Sequence, residues 1–331
     1  LEALVILGTG LAGYTLAREF RKLDPERALV LITNDDGAFY SKPMLSNALA
    51  KNKTAEALIQ QTAEQMAETL NATIVTHTVV DNIDTAQHVV SAGDKQWTYG
   101  QLVLAVGASQ IKLPIAGDGG PDLYPLQHLM PEPAGRALQT ALTEKGVTWH
   151  LEDTVTEVKK SAGGYTLTLN KGTVIEADLV LSAAGLRPNT ALAKSAGIEV
   201  GHGIIADKAL ATSAPGVFSF GDCAEIAGMI MPYVLPIMHS ARVLAQTLSG
   251  NATTLTLPAM PVGVKTPAHA IVVSPAARGA EGEWHCEEQS DGGQIALFKS
   301  PTGDLLGFAL TGAEATKQRM VLAKQLPPVL A

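Results

Sequence analysis

A glycine hexapeptide near the start limits the fold of this chain more than any other feature. The apolar run at residues 4–7 leads into Gly8-Thr9-Gly10-Leu11-Ala12-Gly13. Leu16, Phe20 and Leu23 then recur at helical spacing, and a second apolar run occupies residues 28–32. This order is strand, tight turn, helix, strand, a βαβ unit of ordinary size. The first glycine permits the turn, the second lets backbone approach a pyrophosphate, and the third allows close helix–strand packing. The helix start supplies unpaired N–H groups and a positive dipole end for an anion. Asp35 and Asp36 follow Gly13 by 22 and 23 residues, the offset of about 20 at which an acid meets the ribose of a dinucleotide.

Composition narrows the class. With 331 residues the chain is long enough for two or three domains. At 46% hydrophobic and 17% charged it is neither disordered nor coiled-coil. A net charge of −8 argues against nucleic-acid binding. Cys223 and Cys286 stand alone, with no CxxC motif and no disulfide framework, which fits a reducing, cytoplasmic setting. No segment suits a membrane span, because the uncharged stretch at 226–238 is short and holds Pro232 and Pro236. The opening residues read as a strand and not as a signal peptide. Leu1 in place of Met leads us to expect a few preceding residues. The eight histidines lack metal-ligand spacing and no GxSxG occurs, so neither a metal centre nor a hydrolase nucleophile is expected.

Further along, the pattern predicts a helix from Thr54 as N-cap to about Leu70, and strands near 74–79, 89–91 and 102–106. A loop is expected at 114–133, a helix at 136–145 and a strand at 147–151. Tyr165, Leu167 and Leu169 alternate with threonines as in a half-buried strand, and Asn170-Lys171-Gly172 suits a hairpin turn. Residues 179–182 read as a strand buried on both faces, and 217–220 as another. Pro236 can open a helix that carries Ile237, Ala241, Leu244 and Leu248, with Gly250 as its stop. After a boundary at 251–258, strands at 270–274, 284–288, 295–299 and 305–311 and a closing helix at 313–325 make a small α+β domain.

Six stretches in order resemble the FAD-dependent pyridine-nucleotide reductases that serve small iron proteins, above all the NADH:rubredoxin reductases of alkane-oxidising bacteria. They are 7–22 (LGTGLAGYTLAREFRK), 40–48 (YSKPMLSNA), 102–108 (LVLAVGA), 179–189 (LVLSAAGLRPN), 218–225 (FSFGDCAE) and 261–268 (PVGVKTPA). The resemblance implies an α/β fold: a Rossmann-like FAD-binding domain at 1–113 and 184–250, a partial NAD(P)-binding domain at 114–183, and a small α+β C-terminal domain at 256–331. By the same resemblance Gly8, Thr9, Gly10, Leu11, Ala12 and Gly13 hold the FAD pyrophosphate and Asp35 takes the adenosine ribose. Lys42 and Pro43 lie against the pyrophosphate or the isoalloxazine, and Val79 or Val80 meets the adenine. Ala105, Val106 and Gly107 form the second motif near the flavin. Gly221 and Asp222 reach the ribityl or pyrophosphate portion, and Lys265 approaches the ring, where a cation stabilises the reduced anion. Other readings stay open: a solvated lysine at Lys42 or Lys265, a helix or turn cap at Asp222, and a small buried filler at Cys223. No catalytic acid or base is implied.

The family's second GxGxxG, for the nicotinamide cofactor, does not occur in this sequence. Near Leu129-Met130 the chain passes from the text that precedes that unit to the text that follows it, and 131–183 resembles the second half of the NAD domain. Such a remnant should expose apolar faces. A segment left out of the sequence, an engineered deletion and loss from the gene are all open, and the pattern kept at 179–189 favours the first. The implied activity is electron transfer from NADH to rubredoxin, as in alkane hydroxylation. The alternatives are a ferredoxin reductase of an oxygenase or flavodiiron system, and a non-catalytic FAD-binding relic. Rubredoxins are acidic, so a basic patch is expected on this acidic chain. Lys317, Arg319 and Lys324, with no acid after Glu314, offer one, unless they form an ordinary solvated helix face.

Overall fold

In the computed structural model, which describes residues 2–42, 45, 48, 52–111, 129–161 and 163–331, the chain divides into two units. One is Leu1–Ile111 with Gly185–Leu255, and the other is Lys112–Ala184 with Thr256–Ala331. The expected loop at 114–133 falls mostly outside the described residues, as does Pro43.

The first unit is built on five short strands. These are β1 (Leu4–Leu7), β2 (Leu29–Ile32), β3 (Thr73–Val75), β4 (Gln101–Leu104) and β5 (Val217–Ser219). All pairs are parallel, in the order β5-β4-β1-β2-β3. The centre of such a sheet has no solvent face, which is why β1 is apolar at every position and at most 2% exposed. Each fully buried aliphatic side chain there contributes about 1.5–3 kcal/mol. Helix α1 (Leu11–Leu23) turns Tyr14, Leu16, Ala17 and Phe20 inward. It packs against α3 (Val234–Leu248), where Ile237, Ala241, Leu244 and Leu248 are buried as their spacing predicts.

Helix α2 (Ala63–Leu70) is shorter than the sequence suggests. Thr54 is not its N-cap: the Thr54 hydroxyl accepts the Ala57 N–H at 3.3 Å beside a single 3-10 turn, Glu56–Leu58, whose N-cap is Ala55. Residues 59–61 then extend because Phe39 and Gln61 form a β-bridge. The true start is a capping box in which the Thr62 hydroxyl takes the Gln65 N–H and the Gln65 side chain takes the Thr62 N–H.

The second unit centres on an antiparallel sheet: β6 (Val262–Val264), β7 (Ile271–Ser274), β8 (Glu283–Glu288), β9 (Gln294–Lys299) and β10 (Leu305–Thr311), in the order β6-β7-β10-β9-β8. Strand alternation gives it two apolar faces. Ile271, Val273, Ala296 and Ala309 cluster with Met130, Ala134 and Leu138 of and beside the helix Glu132–Thr143. Val272, Ile295, Phe308 and Leu310 cluster with Ala315 and Leu322. The expected closing helix is split into a 3-10 turn, Ala315–Gln318, and α4, Arg319–Ala323.

Between these elements the strands Val155–Ser161, Gly164–Leu169 and Val174–Ala177 form a small antiparallel sheet, and Gly172 takes a positive φ in the expected hairpin turn. Two expectations fail here. Residues 147–151 and 179–182 carry no strand. The second reads as a strand buried on both faces, as in a parallel sheet, and such a strand needs neighbours brought by crossover connections. With none beside it among the described residues, the 179–182 run lies open: Leu179 is 79% exposed and Leu181 85%.

Candidate functional site

The carboxyl ends of β1, β2 and β4 bound a cleft of about 620 Å³ in the first unit, the position at which open α/β sheets bind ligands. Its lining includes Gly8, Thr9, Gly10, Asp35, Lys42, Val79, Val80, Ala105, Val106 and Gly107.

The glycine turn shows why each glycine stands where it does. Gly8 has φ +110°, and a Cβ there would overlap the Ala105 carbonyl oxygen. A Cβ on Gly13 would strike the Gly8 carbonyl, so the helix can lie this close to the strand only without a side chain. Gly10 differs: nothing lies within 4 Å of its Cβ position, which leaves open space over the turn. As N-cap of α1 it has no side chain to satisfy the first N–H groups, and the first turn holds no acid. The N-terminus of this 13-residue helix is therefore free to take an anion.

Asp35 stands beyond β2. Its Oδ1 accepts from the Thr33 hydroxyl at 2.6 Å, the Gly37 N–H at 3.0 Å and the Thr9 hydroxyl at 3.3 Å. Burial alone would raise its pKa. The hydrogen bonds from Thr33, Gly37 and Thr9 and the charge of Lys42 outweigh burial and bring it below the ordinary value. The carboxylate is thus ionised and held by one oxygen. Tyr14 supports the same corner from below, donating to the Gly37 carbonyl.

Asp222 lies off the cleft lining, after β5. Gly221 takes φ +80° with its Cβ position 2.9 Å from the Ala12 methyl, which brings Asp222 toward the start of α1. Its Oδ1 is buried without a hydrogen-bond partner among the described residues. Burial raises its pKa, and the charge of Lys42 works against that rise. Leu11, Ala12 and Gly13 form the first turn of α1 and do not line the cleft. Lys265 follows β6 in the second unit. Cys223 is buried, with its thiol pushed up by burial, as a packed filler requires.

One wall of the cleft carries residues that sequence reasoning left out of the site: Arg187, Pro188, Asn189, Thr190 and Leu192. Asn189 joins this wall to the end of β4. Its side-chain amide donates to the Val106 carbonyl at 2.8 Å, and its own N–H to the Gly107 carbonyl at 3.0 Å. The signal was present in the LRPN text at 186–189, read for its resemblance and not for its geometry.

The donor set suits a dinucleotide. An open glycine turn and a bare helix N-terminus suit a diphosphate, an ionised Asp35 suits vicinal hydroxyls, and the exposed face of Val79 suits a flat base. The orphaned Asp222 oxygen asks for a hydrogen-bond donor. A second cleft, of about 540 Å³, surrounds Arg27. That guanidinium is already held by Glu2 O, Gln101 Oε1 and Leu248 O, a structural clamp. Among the described residues no His, Cys, Asp and Glu cluster suits a metal ion, and no helix is long and apolar enough to cross a membrane.

The pyridine nucleotide-disulphide oxidoreductase family matches residues 2–125 and 123–246, and the rubredoxin binding C-terminal domain matches 254–326. The chain is 39% identical to a rubredoxin-NAD(+) reductase of Alcanivorax borkumensis over 383 positions, with both chains fully covered. It is 34% identical to a nitric oxide reductase FlRd-NAD(+) reductase of Salmonella arizonae, covering 98% of this chain and 99% of that one. Its fold resembles the ferredoxin reductase for the CYP199A2 system of Rhodopseudomonas palustris, with TM-score 0.85, 19% identity, and coverage of 100% and 96%. An alignment of 383 positions against 331 residues leaves a difference of 52 with no counterpart here. The two family matches meet at 123–125.

Proposed function

This chain belongs to the pyridine nucleotide-disulphide oxidoreductase family, and from that premise we infer that it is a flavoprotein reductase passing electrons from NADH to rubredoxin. The observation that carries the reading is the glycine turn. Gly8 and Gly13 pack where no side chain could, and Gly10 faces open space above a bare helix N-terminus. When bound, FAD supplies the chemistry of taking electrons in pairs and giving them up singly.

The residues of the chain supply position and field. The N–H groups at the start of α1 hold the pyrophosphate over Gly10. Asp35, kept ionised by its neighbours, accepts from the adenosine ribose. Val79 and Val80 cover the adenine. Ala105, Val106 and Gly107, fastened by Asn189, form the floor under the flavin half. Lys42, whose charge acts on both Asp35 and Asp222, offsets the negative diphosphate. Asp222 gains the donor it lacks from the ribityl chain. The first unit thus acts as the FAD-binding domain and residues 256–331 as the partner-binding domain. A role of the rubredoxin in alkane hydroxylation and a cytoplasmic location complete the proposal. They are supported by the resemblance to reductases of alkane-oxidising bacteria and by two cysteines that form no disulfide.

With a single GxGxxG in the sequence, any nicotinamide contacts come from outside a second glycine-rich turn. Anaerobic titration therefore tests the donor separately from the flavin. The purified chain should be yellow, and NADH should bleach its visible absorption. A flavin left oxidised by excess NADH and NADPH, yet bleached by photoreduction, would remove the donor from this reading and leave the cofactor in place.

A further inference from the structure

Packing alone does not fix the turn that follows β4. Up to Ala105 the sheet holds the chain. The Ala105 N–H reaches the Leu7 carbonyl at 2.9 Å, and the Leu104 carbonyl takes the Ser219 hydroxyl at 3.2 Å and the Cys223 thiol at 3.4 Å. The Val106 side chain still rests on the core. Gly107 then turns at φ +67°, with nothing within 4 Å of its Cβ position. A glycine in open space can swing its peptide at little cost. Both carbonyls of this turn are taken by Asn189, whose side-chain amide donates to Val106 and whose own N–H donates to Gly107.

The Asn189 amide is itself oriented. The Ser109 hydroxyl donates to its Oδ1 at 2.6 Å, which leaves Nδ2 to face the Val106 carbonyl at 2.8 Å. A two-stranded antiparallel ribbon, Ala108–Gln110 against Leu186–Pro188, brings the two residues together, with Ser109 opposite Arg187. Asn189 follows that ribbon directly, and Thr190 and Leu192 continue along the cleft wall. Neither residue is a core filler, since Ser109 is exposed and Asn189 half-buried. Asn189 lines the cleft and Ser109 does not.

We propose that Asn189 is a positioning residue for the flavin end of the bound cofactor, and that Ser109 acts on the cofactor only through the Asn189 amide. Val106 and Gly107 line the cleft, so the set of their peptides decides how the ring lies on them. An amide serves both ends of the link, because it accepts from Ser109 and donates to Val106. An ionised carboxylate at 189 would keep the shape and the bond from Ser109 but would set a negative oxygen against the Val106 carbonyl. The proposal rests on the reading of the first unit as the FAD-binding domain and adds to it the pair of side chains that shapes its floor.

The test is equilibrium binding of FAD to the full chain freed of flavin, followed by flavin fluorescence, with the visible absorption bands of the bound flavin as a second readout. Asn189→Ala should raise Kd about tenfold by stranding the Val106 carbonyl, and should shift the visible bands. Asn189→Asp should weaken binding at least as much, whereas a side chain that mattered only for packing would tolerate this isosteric change. Ser109→Ala should raise Kd about threefold in the otherwise unaltered chain and add nothing on top of Asn189→Ala. Kd values within about twofold for both Asn189 variants with unmoved bands, or a Ser109→Ala effect that persists in full beside Asn189→Ala, would overturn the proposal and leave the flavin reading intact. The thermal midpoint of the flavin-free chain shows whether each variant folds. Should the Asn189 variants not fold, the exposed Ser109→Ala decides, and an unchanged Kd with unmoved bands overturns the proposal. Failure of the unaltered chain to bind FAD would instead overturn the flavin reading and the proposal with it.

Discussion

Two tetrapeptides in this molecule have nearly the same text and opposite fates. Residues Leu4–Leu7 read LVIL and residues 179–182 read LVLS. The first lies between β4 and β2 and is at most 2% exposed, whereas Leu179 and Leu181 of the second lie open to solvent. Local preference does not separate them. A parallel strand is stabilised by the neighbours that accept its hydrogen bonds and cover its two faces. Among the described residues no such neighbours stand beside 179–182. The helix Glu132–Thr143 buries its apolar side on the C-terminal sheet instead.

The largest break in this contrast should come where the first unit holds helix and strand closest. Gly13→Val forces a side chain into the Gly8 carbonyl. The variant should lose bound flavin entirely, read as the ratio of visible to protein absorbance, and should lose more than ~3 kcal/mol of stability. Next, matched truncations weigh the two tetrapeptides directly. Ile6→Ala removes a fully buried side chain and should cost about 2–5 kcal/mol in denaturant unfolding. Leu181→Ala should change stability by no more than about 0.5 kcal/mol. An equal cost at both sites would mean that residues 179–182 are covered in solution.

A smaller effect concerns two tyrosines buried in the first unit. Tyr14 donates to the Gly37 carbonyl, while the Tyr99 hydroxyl has no partner among the described residues. Tyr14→Phe should cost about 1–2 kcal/mol by stranding that carbonyl, and Tyr99→Phe should cost close to nothing. The pH dependence follows the same pair. Burial, helped by the charge of Asp35, pushes the Tyr14 phenol from 10 up to about 12. The folded state holds this proton more tightly, so the associated stability is complete below pH 10 and is lost as pH rises through about 12. Unfolding followed between pH 9 and 12 should show this slope in the unaltered chain and a shallower one in Tyr14→Phe.

Much of the site could be read from the chain because its code is local. The turn from Gly8 to Gly13 follows from backbone sterics within six residues, and Asp35 from the length of one βα step. Lys42, Val79, Val80 and the 105–107 segment line the cleft with them. Other features were legible but misread. Thr62 and Gln65 spell a capping box, yet Thr54 drew the helix start because nothing local announces the Phe39–Gln61 bridge that holds 59–61 extended. Asn189 stands in the LRPN text, but its place in the site was not legible there, since its bonds to Val106 and Gly107 cross more than 80 residues of chain.

The residues by themselves determined the glycine turn, the strands of the C-terminal sheet and the basic end of the sequence, for each is set by contacts within a few positions along the chain. Only the tertiary structure decided which apolar runs become strands, which sheet the helix Glu132–Thr143 covers, and which side of the last helix stays bare. Those outcomes depend on partners far away in sequence, and burial rewards an apolar segment only where such a partner arrives to exclude the water.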